Sequence, residues 1–201
     1  MMKREEKNQQ TRRRIMDSAL AEFSGQGYGA SSINTICAAQ DVSKGIVYHY
    51  FETKDGLFLA CVAECFQRLT EYIRTNMAKQ GGTPFCLEDY FAIRTGFFRS
   101  CPIYRRIFCE AVISPPAHLR AEIQQRKQDF DALNLRILEG LLAPLSLRPG
   151  ISRDEVMEMF RQFQDFINVR YQMAGGQEFE AREEDCRKAL DILLYGVVER
   201  N

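Results

Sequence analysis

Residues 32–51 read SINTICAAQDVSKGIVYHYF, and their spacing predicts two short helices joined by a tight turn. Ile33, Ile36 and Cys37 supply the inward face of the first, and Val47 and Phe51 that of the second, with Val42 at the turn. Ser32 and Ser43 stand where helix N-caps are needed, and Ser31 is a further candidate cap. Asp41 occupies the turn, where a left-handed backbone is commonly required and Asp is tolerated less well than Gly. In such a helix-turn-helix the second helix enters the major groove of DNA. Its outward residues here are Lys44, Gly45, Ile46, Tyr48 and His49. Lys44 suits guanine O6 and N7 or a phosphate, and Ile46 suits a thymine methyl. Tyr48, His49 and Tyr50 offer donors for phosphate oxygens. Gly45 costs about 0.8–1.0 kcal/mol against Ala inside a helix, which makes sense where the backbone must approach another surface closely.

Upstream, Ile15, Met16, Ala19, Leu20 and Phe23 repeat at helical spacing, so a helix is predicted over Arg12–Phe23, stopped by Gly25, Gly27 and Gly29. The string Gly25-Gln26-Gly27-Tyr28-Gly29-Ala30 matches a dinucleotide fingerprint in letters only, since a helix and not a strand precedes it. Lys3, Arg4, Lys7 and Arg12-Arg13-Arg14 read as a flexible basic arm able to reach phosphates or a minor groove, or else as a solvated tail. Downstream, Thr53 and Asp55 favour a helix start, and the helix extends from Lys54, a positive tip, to about Lys79. Five more helices are predicted near 86–100, 103–113, 116–142, 152–174 and 178–199, placed by Pro115-Pro116 and by Pro149-Gly150 with Ser152 as N-cap. The fold class is all-α, with about nine helices.

The residues from Ile15 to Phe58 resemble the TetR family of bacterial transcriptional regulators. The resemblance is carried by Gly27-Tyr28-x-x-Ser31-Ser32-Ile33, by the string from Val42 to Phe51, and by Thr53-Lys54-Asp55. It implies that Lys44, Gly45, Ile46, Tyr48 and His49 face the DNA groove and that Ser32, Tyr50 and Lys54 hold phosphates, with Ser43 grouped beside them. Asp41 stands where the family commonly has Gly, and Ile46 where Thr is common. The implied organisation is a helix-turn-helix DNA-binding domain over residues 8–68, with the motif itself at 32–51, followed by an effector-binding and dimerisation domain over 69–201. The implied function is a homodimeric regulator of a palindromic double-stranded operator, a repressor released by a small apolar or aromatic effector.

The C-terminal body is rich in aromatics, and Phe66, Phe91, Phe98, Phe108, Phe130 and Phe163 are the candidate lining of an effector pocket; ordinary core packing is the competing reading. Arg94 and Glu110 are candidate polar anchors there, read first as surface charges. Apolar stripes on the last two helices mean only that one face of each is buried; the family resemblance implies that these helices pair across a two-fold axis, which assigns Phe160, Ile167, Leu190, Leu193 and Val197 to a dimer interface, with packing inside the chain as the alternative. Cys61 and Cys65 lie one helical turn apart, so a soft-metal or redox-sensing regulator is a further reading, although buried thiols are the default.

Bulk charge selects no partner, since the 201 residues carry 27 Lys and Arg against 27 Asp and Glu. Apolar runs such as Ile192 to Val198 are far shorter than the ~20 residues a membrane span needs, and MMKREEKNQQ at the start lacks the apolar centre of a secretory signal. A cytoplasmic chain with seven reduced cysteines and no membrane association is expected. There is no nucleophile elbow, His-Glu-x-x-His or phosphate loop, so no enzyme activity, cofactor or metal is assigned. A helical protein-interaction module that does not bind DNA is the rival class.

Overall fold

The computed structural model describes residues 2–79, 86–173 and 179–197; side chains 2–4, 164, 167, 168, 170–173, 193, 195 and 197 lie outside that description. The described residues form ten α-helices and one short 3-10 turn. The first is α1 (Met2–Ala30), followed by α2 (Ile33–Gln40), α3 (Lys44–Phe51) and α4 (Lys54–Lys79). The body comprises α5 (Leu87–Ser100), α6 (Ile103–Val112), a 3-10 turn (Ala117–Leu119), α7 (Arg120–Arg126), α8 (Gln128–Leu142), α9 (Arg153–Met173) and α10 (Phe179–Val197). Among the described residues no helix is long and apolar enough to cross a membrane.

Two of the expected helices differ from the sequence expectation. Helix α1 starts at Met2, so Arg12, Arg13 and Arg14 lie on an ordered helix and not on a flexible arm. Arg13 reaches Asp17 and Glu64, Arg14 donates to the Gln40 carbonyl at 2.6 Å, and the Arg12 guanidinium lies 5.1 Å from the Phe51 ring centroid. At its other end α1 passes Gly25 and kinks only at Gly27, with φ 78° and ψ 170°. That positive φ favours glycine, and Glu110 of α6 packs where a side chain at this position would stand.

The second difference is the expected single helix over 116–142. Pro116 stays extended, the 3-10 turn follows, and Lys127 breaks the rest into α7 and α8 with φ −100° and ψ 3°. The Lys127 ammonium contacts both Asp131 oxygens at 2.7 and 2.6 Å, and Gln124 donates to the same carboxylate, which pins the bend.

Helix α4 carries the fold from one end of the molecule to the other. Its Leu57, Phe58 and Cys61 belong with Ile15, Leu20 and Phe23 of α1, Ile36 of α2 and Val47 of α3 in the buried core. Further along, Phe66, Leu69 and Ile73 are buried as the helix packs on α5, α6, α7 and α8. The α3–α4 turn depends on Gly56, because a Cβ there would run into the Phe51 carbonyl oxygen, while the Gly56 N–H is capped by Thr53 Oγ1 at 2.9 Å.

Candidate nucleic-acid interface

The reading helix is aimed by capping and by burial of one face. Ser32 caps α2 by accepting from the Asn34 N–H at 3.1 Å, and its own N–H donates to Glu22 of α1 at 2.9 Å. Buried Ser18 of α1 donates to the Ile36 carbonyl at 3.0 Å, tying α2 to α1. Asp41 ends α2 in the left-handed conformation, with φ 49° and ψ 48°. Its N–H meets the Ala38 carbonyl and the Val42 N–H the Cys37 carbonyl, the paired bonds of a Schellman turn. Ser43 then caps α3 by accepting from the Ile46 N–H at 3.3 Å. Val47 and Phe51 face the core.

With that face buried, Ser43, Lys44, Gly45, Ile46, Tyr48 and His49 are all exposed. Ile46 and Tyr48 are 40% and 41% exposed, large apolar surfaces with nothing of the chain over them. Gly45 has ample room: a Cβ there would meet only Ser43 Oγ, at 3.8 Å. The protein's own packing therefore does not require glycine at this position.

Three other expected contacts are held more tightly by the protein itself. The Tyr50 hydroxyl donates to Asn8 of α1 at 2.6 Å. The Lys54 ammonium donates to the Ser31 carbonyl at 2.8 Å and sits 4.8 Å from the Tyr28 ring centroid. Ser32 is half-buried, its hydroxyl engaged in the α2 cap.

Behind the reading head lies a polar junction for which local sequence offers no signal. Arg106 of α6 donates to the Gly25 and Gln26 carbonyls at 2.6 and 2.9 Å, while Glu110 accepts from the Tyr28 N–H at 2.9 Å. The Tyr28 hydroxyl bonds Asp55 and lies 3.2 Å from His118 Nε2, which is also 3.2 Å from Asp55. Burial, reinforced by Asp55, pushes the Tyr28 hydroxyl up to about 12, so it stays a donor at neutral pH. Burial also raises the Glu110 carboxyl, although the Tyr28 N–H and Arg106 act to lower it. Glu110 is thus a half-buried link between α6 and α1 and not a free surface charge.

In the body, Phe66, Phe98, Phe108 and Phe130 are buried and pack on one another, with centroid separations from 4.9 to 6.1 Å between neighbours. Phe91 is buried under Arg94, and Phe163 stands apart, partly buried against Ile113. The mutual packing of the first four is what a filled core looks like. Arg94, expected at the surface, is only 3% exposed and forms a buried ion pair with Glu183 of α10. The Glu183 carboxylate also accepts from Arg182 at 2.7 Å.

The expected dimer residues divide similarly. Phe160 and Leu190 are buried in the chain's own core, and the side chains of Ile167, Leu193 and Val197 lie outside the described residues. Among the described residues, the large apolar side chains exposed on these helices are Met159, Phe166 and Val169 of α9 and Ile192 of α10. Periodicity located the apolar stripes but not which edge of each faces inward.

Cys61 and Cys65 are both wholly buried along α4. Burial pushes both thiols well above the usual range, and Cys65 donates to the Tyr104 carbonyl at 3.7 Å. Metal binding and thiol oxidation both need thiolate, which this environment disfavours. Treatment of the folded protein with an aromatic disulfide at pH 8, followed by peptide mass mapping, should modify exposed Cys86 and spare Cys61 and Cys65 until the chain unfolds. Modification of Cys61 and Cys65 at the rate of Cys86 would revive the sensing role.

The family model described as "Bacterial regulatory proteins, tetR family" matches residues 15–61, which span the helix-turn-helix. The biofilm operon icaADBC HTH-type negative transcriptional regulator IcaR of Staphylococcus aureus (strain Newman) is 29% identical over 179 residues, covering 78% of this chain and 96% of IcaR. The HTH-type transcriptional repressor KstR of Mycolicibacterium smegmatis is 32% identical over 80 residues, covering 40% of this chain and 39% of KstR. In fold, SmeT, the repressor of the Stenotrophomonas maltophilia multidrug efflux pump SmeDEF, superimposes with a TM-score of 0.65 at 19% identity, over 94% of this chain and 91% of SmeT. FadR from Bacillus subtilis, solved with stearoyl-CoA, gives 0.62 at 15% identity over 91% of this chain and 97% of FadR. Residues 15–61 carry the helix-turn-helix domain of the tetR family of bacterial regulatory proteins, and the chain is a DNA-binding transcriptional regulator similar to these repressors.

Proposed function

We propose that this regulator is a repressor that binds a palindromic operator as a homodimer and is released by a small-molecule effector. The observation that carries the reading is the face of α3. Every capping and core contact of residues 32–51 is made by the other side, leaving Lys44, Gly45, Ile46, Tyr48 and His49 together and exposed. An exposed glycine that the fold does not need, beside an exposed lysine and a half-exposed isoleucine, suits close approach to base edges in a major groove. Lys44, Gly45, Ile46, Tyr48 and His49, with Ser43, form the direct contact set. Ser32, Tyr50 and Lys54 contribute to phosphate contacts through the segments they brace.

The head spans residues 8–68 and the body 69–201, with α4 running through both. Met159, Phe166, Val169 and Ile192 mark the surface that a second copy covers, since exposed apolar side chains clustered on two adjacent helices favour association. Such a dimer presents two reading helices to half-sites ~34–36 Å apart, or a multiple of that. The names of IcaR, KstR and SmeT support repression, and the stearoyl-CoA bound by FadR supports control by a small molecule. An apolar or aromatic effector among Phe66, Phe98, Phe108 and Phe130 has to part rings that already touch. A DNA-binding regulator of this kind acts in the cytoplasm.

Selection of bound duplexes from a random library by the purified protein tests this reading. An enriched palindrome is expected, and with it Lys44→Ala should weaken operator affinity by about 5- to 150-fold, the ~1–3 kcal/mol of a good base contact. Gly45→Ala should also weaken binding while leaving the melting temperature equal or higher, since it fits the fold and favours helix. No enrichment at moderate salt would favour the protein-interaction module instead.

A further inference from the structure

We infer that the cleft between the α7–α8 bend and α9 is a binding site for a small zwitterion, a molecule carrying a carboxylate and an ammonium group on a short apolar scaffold. The cleft holds about 310 Å³, the lower end of the range for small-molecule sites. Its chemistry is set by a hydrogen-bonded chain that starts in the core. The Arg94 guanidinium has donors only, and it donates to the Tyr90 hydroxyl oxygen at 2.9 Å. The one Tyr90 proton is therefore directed onward, to Asn134 Oδ1 at 2.6 Å. Arg94 thus forces Asn134 to present its carbonyl end to Tyr90 and its amide nitrogen the other way. Asn134 lines the cleft and is only 7% exposed, and no acceptor among the described residues takes its amide hydrogens. A donor of fixed direction therefore lies at the cleft's wall, where solvent reaches it and a ligand oxygen takes the place of water.

The remaining charges decide the rest. Lys127 and Asp131 neutralise each other across the bend. On the α9 side, Arg161 and Asp165 line the cleft one helical turn apart. The ion-pair partner of Arg161, Glu158, lies on the exposed surface at 3.0 Å, and Asp165 has no ion pair among the described residues. Asn134 with Arg161 suits a carboxylate, and Asp165 suits an ammonium group. Phe160 and Leu135 supply an apolar wall between them. Met159, Phe166 and Val169, exposed apolar residues of α9, are not part of this lining.

The inference goes beyond the effector reading, since this cleft is not the Phe66–Phe108 ring cluster, and binding is measured without DNA, so its failure and the failure of operator selection are separate results. Isothermal titration of the full chain with L-leucine is expected to give saturable binding. Leucinamide, which lacks the carboxylate, and N-acetyl-leucine, which lacks the ammonium group, should each bind at least tenfold more weakly. Asp165→Asn should weaken L-leucine binding at least tenfold with an unchanged melting temperature. Absence of saturable binding for L-leucine, L-valine and L-norvaline at millimolar concentration would overturn the inference. Equal binding of either blocked analogue, or unchanged binding by Asp165→Asn, would overturn it too.

Discussion

Glu183→Leu is expected to cost about 3–5 kcal/mol of folding stability, the usual loss when one member of a buried ion pair is removed. Glu183 is 4% exposed and Arg94 is 3% exposed, so the guanidinium left behind is shielded from water. Burial alone would lower the Arg94 pKa, yet Glu183 and Tyr90 more than offset this and the net shift is upward. Losing Glu183 removes much of that support, but a guanidinium is too basic to give up its proton in a protein, so Arg94 stays charged without its partner. Urea unfolding at one fixed protein concentration measures the effect. The double variant Arg94→Met with Glu183→Leu should recover a large part of the loss, because it removes the stranded charge as well as its partner. Recovery will be incomplete, since Arg182 also loses its bond to Glu183. If the double variant is no more stable than Glu183→Leu alone, the pair is not the source of the loss.

Phe108→Ala should be of similar size, about 3–5 kcal/mol, from lost transfer free energy and the cavity left behind. Phe108 is 1% exposed and is contacted by rings from four other helices: Phe66 of α4, Phe98 of α5, Phe130 of α8 and Phe179 of α10. Few neighbours can close such a gap without moving a whole helix. Because α6 also carries Arg106 and Glu110, the loosened helix should weaken its grip on the end of α1. The expected result is a lower urea midpoint together with faster amide exchange around Gly25–Tyr28. A stability loss below about 1 kcal/mol would mean that the aromatic cluster is not a packed core.

The reading helix was legible because its determinants are local. Within eight residues, a 3.6-residue period separates Val47 and Phe51 from Lys44, Gly45 and Tyr48, and Ser43 marks the start. The left-handed turn at Asp41 was likewise readable from its position between two helices. Gly25 misled as a helix stop because Arg106, 81 residues away, satisfies the carbonyls there and lets α1 continue to Gly27. The break at Lys127 was missed because no Pro or Gly marks it; Asp131 and Gln124 hold it through side chains.

Arg94 shows the limit most clearly. An arginine on an amphipathic helix reads as a surface charge, and it becomes a core residue only when a carboxylate 89 positions away is folded onto it. The same holds for Tyr28, whose partners Asp55 and His118 come from separate helices, and for Phe160 and Leu190, whose stripes had two possible inner edges. The sequence by itself determined an all-α chain with a DNA-reading head and the side of α3 that faces outward, because helical period and caps act within about four residues. Tertiary structure alone decided which charges are buried, how the head is tied to the body and where a polar cleft opens, because each of these needs partners brought together from distant parts of the chain.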